Sequence, residues 1–217
     1  MNEILQKTER TRLRRAHKRG AFDRQTVNAI LDAQPLCHIA YVIEGSPIAM
    51  PSVQWREGNH VYWHASSAGR GIRAVSEQDV CLTVSILDGM VLARSAMHHS
   101  VNYRSAMIFG RPRVIEDADV KKEKLGNLID VLYPGRNAIL RPMTDQELKA
   151  TAVVSMPIEE ASAKIRSGGP VDDEEDYRLA IWAGVLPVTT SVGAPVSDPR
   201  NTDGVSPPDH AIHFKLG

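Results

Sequence analysis

The sequence predicts an α+β fold: a mostly antiparallel, six- to seven-stranded β-barrel with peripheral helices. Three observations predict it. Short β-rich runs follow one another at close spacing with tight turns between them, the pattern of an antiparallel meander. These runs do not alternate with long helices, and neither a P-loop nor a Gly-x-Gly-x-x-Gly after a first strand occurs, which argues against a doubly wound sheet. The 217 residues, 42% hydrophobic and 24% charged, suit one compact globular unit.

The elements follow in order. Residues 1–20 form a basic arm. Eight cations lie between Lys7 and Arg24 against only Glu9 and Asp23. The arm is expected to be solvated and to lie on acidic surface, and engagement of an anionic partner is the alternative. Asp23 reads as an N-cap, and Val27, Ile30 and Leu31 share one helical face. Leu36–Ile43, Pro47–Trp55 and His60–Ala65 form a meander, turned at Glu44-Gly45-Ser46 and at Arg56–Asn59. A short helix, Arg70–Ser76, precedes a strand at Val80–Leu87. Asp88-Gly89 is expected to turn the chain into Met90–Ala96. Tyr103–Glu116 reads as a long strand whose Gly110 and Pro112 suggest a bulge or an edge. Asp119–Leu132 is helical and is stopped by Tyr133-Pro134-Gly135. Thr144-Asp145-Gln146-Glu147 is a capping box. Val153–Ile158 and Ala180–Val188 are expected to be the last strands, with a solvated acidic loop, Asp172–Asp176, between them. The barrel domain thus spans residues 21–192, and a tail rich in Pro, Gly and Asp fills residues 193–217.

Lys plus Arg balance Asp plus Glu at 26 each, so no global field points to nucleic acid. No apolar run reaches 18 residues, so neither a membrane span nor a secretory signal is expected. Cys37 and Cys81 lie in apolar runs and read as buried structural thiols, which fits a cytoplasmic protein.

Residues 62–70, Tyr-Trp-His-Ala-Ser-Ser-Ala-Gly-Arg, carry the clearest chemistry. Ser66 and Ser67 bring hydroxyls, Gly69 permits close approach of backbone, and Arg70 has a fork of donors suited to phosphate. An ordinary strand-to-helix turn is the alternative. Pro51 cannot donate to a ladder, so a strand broken there would leave backbone groups near Ser52, Val53 and Gln54 free for a heterocycle edge. His98 and His99, adjacent on extended chain, point to opposite sides and do not make a two-ligand metal pair by themselves, so no metal site is assigned. Either is a weak candidate for a catalytic proton donor, and each taken alone reads as a loop histidine bonded to backbone. Tyr103 and Ser105 share one strand face. Trp182 reads as a core tryptophan, or else as a wall for a planar ring.

In this order and spacing, over roughly residues 10–190, four segments resemble the pyridoxamine 5′-phosphate oxidase-like superfamily of FMN-binding split barrels. They are Phe22…Ile39, His64–Arg70, His98–Ser105 and Trp182–Pro187. The branch that resembles them most holds the nitroimidazole-resistance proteins. The resemblance implies a split barrel that binds FMN as a homodimer, with two sites at the interface. It implies that Pro51, Ser52, Val53 and Gln54 lie along the flavin ring and that His64 and Ala65 approach the ribityl chain. Ser66, Ser67 and Arg70 would hold the phosphate, Tyr103 and Ser105 would face the flavin from one or other protomer, and Trp182 would close the ring edge. It implies a flavin-dependent oxidoreductase acting on a small molecule such as a nitroaromatic, a quinone or a small amine. The alternatives are a haem-binding split barrel with His98 or His99 as axial ligand, and a non-catalytic flavin-binding or regulatory module. Two departures stand out. The tail lacks the Arg-x-His-Asp-Arg-type segment of the vitamin B6 oxidases, which puts that activity in doubt, and Arg70 stands where many members have lysine.

Overall fold

A computed structural model describes residues 3–15 and 17–216 of the chain. Ten strands and five α-helices follow one another. The strands are β1 (Gly20–Ala21), β2 (Leu36–Ile43), β3 (Ser46–Glu57), β4 (His60–Ser66), β5 (Val80–Leu92), β6 (Ser100–Gly110), β7 (Arg113–Val114), β8 (Thr151–Pro157), β9 (Glu160–Arg166) and β10 (Gly184–Pro187). The helices are α1 (Arg24–Ala33), α2 (Arg70–Ser76), α3 (Ala118–Leu132), α4 (Asp145–Ala150) and α5 (Asp209–Ile212).

The sheet is antiparallel in the order β1-β9-β6-β5-β2-β3-β4-β8-β7, with β10 added to β5. β8 and β9 lie near opposite ends of that order, yet only Ile158 and Glu159 join them. Two residues span well under 10 Å even fully extended, so the sheet must curl until its two ends meet. That curl makes the barrel. Inward-facing residues alternate with outward ones along β2: Cys37, Ile39 and Tyr41 are buried, while Leu36, His38, Ala40 and Val42 are exposed. The interior is filled by Trp63, Ile39, Leu82, Ile108 and Met156, and α1 packs Val27, Ile30 and Leu31 into it. A second, smaller core under α3 stacks Trp55 on Tyr62 at 5.4 Å between ring centroids, beside Leu128 and Val153.

Local chemistry starts and stops the helices. The Asp23 carboxylate accepts from the Thr26 amide at 2.8 Å and opens α1. Gln54, buried in β3, closes it by donating its side-chain amide to Leu31 O and Gln34 O. Asp117 caps α3, and Thr144 with Glu147 forms the expected capping box on α4.

Several expectations are corrected. The sheet has ten strands rather than six or seven. Asp88-Gly89 does not turn the chain. β5 runs on from Val80 to Leu92 with a bulge between Leu87 and Gly89, because both flanks pair with β6. Arg104 holds the bulged Asp88 carboxylate through two bonds. β6 ends at Gly110, and after Pro112 the chain moves to β8 as β7. β9, which the sequence pattern does not predict, buries Ala161 and Ala163 between β6 and β1. The run Ala180–Val188 is a strand only over Gly184–Pro187. Pro51 does not break β3, which is continuous past it.

The arm is docked by particular residues. Leu5 and Thr11 are buried, Ile4 bridges to Asp23, and Arg10 spans Asp79 and Glu160. Among the described residues no helix is long and apolar enough to cross a membrane.

Candidate functional site

Two regions at the rim of the barrel concentrate polar chemistry. The first is the connection from β4 to α2. His64 and Ser66 alternate outward on β4, and both are exposed. His64 lines a groove of about 430 Å³ with Leu125, Leu128, Leu140 and Leu148 of the α3–α4 region. Ala65 is partly buried. The Ser67 amide donates to Ala150 O at 2.9 Å and its hydroxyl donates to Lys149 O at 2.8 Å, so the loop is tied to the end of α4 and the Ser67 proton is already used. The Gly69 amide donates to Ser66 O, and a Cβ at Gly69 would come within 3.0 Å of that carbonyl, a close approach that favours glycine. No side chain caps α2. Arg70 and Arg73, one turn apart, are exposed and have no carboxylate within ion-pair distance among the described residues. No motif in the sequence singles out Arg73.

The free backbone expected near Pro51 has another cause than a broken strand. β3 pairs with β2 over Ser46–Val53 and with β4 only over Gln54–Glu57. The edge of β3 away from β2 therefore has no strand beside it at Pro51, Ser52 and Val53. Gln54 differs from these three, since its side chain is buried and bound to the end of α1. Pro51 lies opposite His38, and His38 opposite Thr83, on the outer face of the sheet. Tyr103 and Ser105 share that face through Leu87 and Ser85, and the Ser105 hydroxyl donates to Lys164 O at 3.3 Å. From β4 to β6 there are four strand steps, roughly 19 Å along the sheet at about 4.8 Å each. Ser66 and Ser105 thus lie on strands that are not neighbours in the sheet.

The second region is the β5–β6 connection, a 3-10 turn at Ala96–His98. Arg94 donates its amide and its guanidinium to Asp172, both at 2.9 Å, and its guanidinium lies over the Tyr177 ring. The Asp172 side chain is fully buried, against the expectation of a wholly solvated acidic loop. Burial opposes its charge, but the Arg94 amide and guanidinium more than offset this and hold its carboxyl below the usual 3.8. His98 donates Nδ1 to Val171 O at 2.5 Å, and its Nε2 lies 3.5 Å from Asp173. His99 donates Nδ1 to Ser95 O at 2.9 Å. Both histidines are thus bonded to backbone. Trp182 is 65% exposed, so it is not a core residue; it packs on Gly184, where a Cβ would meet its ring at 2.8 Å.

Cys37 is buried and its thiol is pushed up to about 12 by burial, which leaves it inert. Cys81 is raised for the same reason. Among the described residues no three His, Cys, Asp or Glu side chains come together as a metal cluster.

Residues 23–165 match the family model described as pyridoxamine 5′-phosphate oxidase. Among solved structures, the flavocytochrome Anf3 from Azotobacter vinelandii is 50% identical with a TM-score of 0.94, over 97% of this chain and 98% of that one. The FAD and heme binding protein from Mycobacterium smegmatis is 37% identical with a TM-score of 0.85, over 88% of this chain and 95% of that one. A candidate 5-nitroimidazole antibiotic resistance protein from Bacteroides thetaiotaomicron shares the fold, at 22% identity and a TM-score of 0.56, over 67% of this chain and 86% of that one. No curated protein matches the chain.

Proposed function

The chain belongs to the pyridoxamine 5′-phosphate oxidase family, and from that premise we propose that it is a flavin- and haem-binding redox protein. The observation that carries this reading is half-identity, along nearly the whole chain, to a protein named a flavocytochrome. The donor set of the β4–α2 connection fits a flavin phosphate. Ser66 offers an exposed hydroxyl, and Arg70 and Arg73 offer two guanidinium groups without internal partners among the described residues. The expected FMN and the FAD of the mycobacterial relative's name both present phosphate to such a set.

Bound flavin would supply hydride and electron chemistry, and haem iron would supply one-electron chemistry. The chain's own residues bind and orient. Arg70 and Arg73 would neutralise the phosphate and Ser66 would donate its hydroxyl to it, while Ser67 fixes the loop on α4 and His64 and Ala65 would flank it. The unpaired edge of β3 at Pro51–Val53 would offer backbone groups to the ring. Tyr103, Ser105 and Trp182 would come from the other copy of a homodimer, since neither β6 nor β10 neighbours β4 within one chain. The exposed outer face of β2, β5 and β6, with Leu36, Val42 and Met107, is the surface that would pair the two copies. Oxidoreduction of a small molecule is the activity class.

An absorption spectrum of the purified full-length protein, made with ample flavin and haem precursor, tests the reading. Flavin bands together with a Soret band are expected. A colourless, folded protein that takes up neither cofactor on reconstitution would overturn it.

A further inference from the structure

We propose that the groove between β8, α3 and α4 seats the adenosine half of a flavin dinucleotide, so that the chain takes FAD in preference to FMN; this rests on the flavin reading above. Three features lie in a row across the sheet. β3 and β4 pair only over Gln54–Glu57 and His60–Trp63 and then part, so no ladder joins Pro51–Val53 to His64–Ser66. On its other edge β4 stays paired with β8 to its end, with His64 opposite Val153 and Ser66 opposite Thr151. The order β3-β4-β8 therefore sets the free edge offered to the flavin ring, the Ser66–Arg70 loop and the groove side by side. A ligand that starts at the free edge and is gripped by its phosphate at the loop meets the groove next.

The groove suits a neutral, planar base. Side chains alternate along β4, so His64 and Ser66 share the face on which Tyr62 packs with Leu128 of α3. Thr151 stands opposite Ser66 on that same face. His64 and Thr151 line the groove from the sheet, and Leu125, Leu140 and Leu148 line it from the α3–α4 region. Its volume of about 430 Å³ falls within the ~300–1,000 Å³ of small-molecule clefts. Arg141 and Glu147, which also line it, hold each other through two hydrogen bonds, so they present little net charge to an occupant. A purine is apolar on both faces, and the exposed His64 ring supplies a planar partner for it among the leucines. The charges agree. A dinucleotide brings two phosphates to the loop, and α2 carries two guanidinium groups there, Arg70 and Arg73. FMN ends at its single phosphate and would leave the groove to water.

The test titrates the full-length protein, stripped only of flavin, with FMN and with FAD. Stacking one base is worth ~5–100-fold in affinity, so FAD should bind more tightly than FMN by that factor. Leu140 is 42% exposed at the rim of the groove, so a change there spares the core. Leu140→Glu sets an unpaired carboxylate against the base and should cost FAD ~10-fold or more, while FMN stays within about twofold of the parent. FAD with a photoreactive azide on the purine should label His64 or the peptide 125–151 of the parent, which keeps the test valid if the variant does not fold. FAD that binds the parent no more tightly than FMN overturns the adenosine seat and leaves the flavin reading intact. So does a folded Leu140→Glu that leaves FAD affinity unchanged or weakens both flavins equally, and so does labelling elsewhere. A parent that binds neither flavin overturns the flavin reading itself, and the seat with it.

Discussion

The two rim regions handle charge in opposite ways. At the β5–β6 end, Arg94 is spent on Asp172 and Tyr177, and His98 on Val171 and Asp173. At the β4–α2 end, Arg70 and Arg73 stand one turn apart with no carboxylate near either among the described residues. Elsewhere the chain pairs its arginines freely: Arg10, Arg24, Arg56 and Arg104 each hold a carboxylate. Arg15, Arg19, Arg113, Arg136 and Arg178 also have no carboxylate within ion-pair distance among the described residues, but Arg70 and Arg73 differ in standing together on one short helix beside the Ser66 loop. Two like charges on one short helix repel in the absence of an anion, and an incoming phosphate removes that repulsion. The other end is already satisfied.

The largest effect is expected from removing the reserved cations. Each charge-assisted contact is worth ~1.5–3 kcal/mol, so the double variant Arg70→Ala, Arg73→Ala should weaken phosphorylated flavin by ~10²–10⁴-fold. Riboflavin, which has no phosphate, should bind both proteins alike. Fluorescence titration with the two flavins measures this. Equal losses for both would show that the β4–α2 end does not hold a phosphate, and the contrast between the two ends would fail.

Gln54 separates cofactor contact from structure. Its amide serves two carbonyls at the end of α1, and burial denies those carbonyls water. Gln54→Ala should cost ~1–3 kcal/mol in urea unfolding of the cofactor-free protein. Flavin affinity of the folded variant should stay within a few-fold of the parent, on the order of the scatter in such measurements. A large loss of flavin binding with stability unchanged would return the Gln54 side chain to the flavin site.

What the sequence discloses about these regions depends on how local each cause is. The Asp23 cap, the Thr144 box and the bounds of α2 are set by groups within four residues of each other, and all are legible in the chain alone. So is the adjacency of Ser66 and Arg70. The continuity of β5 is not, because Asp88-Gly89 has the composition of a turn and only pairing of both flanks with β6 overrides it. β9 escapes the sequence pattern because Glu-Ala-Ser-Ala-Lys-Ile-Arg has one β-branched residue; its place is set by small side chains fitting under the arm and against β6. Five acidic residues in a row read as solvated, and Arg94, 78 positions away, selects one of them for burial. That Arg70 and Arg73 lack partners among the described residues follows from where every other carboxylate lies. No local pattern carries that information.

The satisfied end should respond to acid. The Asp172 carboxyl titrates below its ordinary 3.8 in the folded chain, so its contribution is complete above that value and is lost as pH falls through the folded value. Above the ordinary carboxylate range the segment 171–178 should therefore stay docked, and as pH falls through the lowered folded value it should release before the barrel unfolds. Hydrogen exchange at the Arg94 amide, which donates to Asp172, reports the release. Arg94 amide protection that is unchanged by Asp172→Asn would mean that the ion pair does not pin this segment.

The smallest effect is expected at the arm, where charge is plentiful but exposed. Arg10 touches Asp79 and Glu160, yet its own side chain is 44% exposed and that of Asp79 is 47% exposed. Such pairs contribute ~0–1 kcal/mol and weaken with salt. Arg10→Ala should therefore lower stability by no more than ~1 kcal/mol in dilute buffer, and by less at high salt, with flavin and haem content unchanged. Leu5 sets the opposite expectation on the same arm. It is buried, and truncating a buried leucine to alanine costs ~2–5 kcal/mol. If Leu5→Ala is the costlier change, the arm is held by its apolar contact and its charges are left to solvent or to an anionic partner. The reverse order would make the arm an electrostatic latch on Asp79 and Glu160, and Arg10 would then serve the fold in the way Arg94 does.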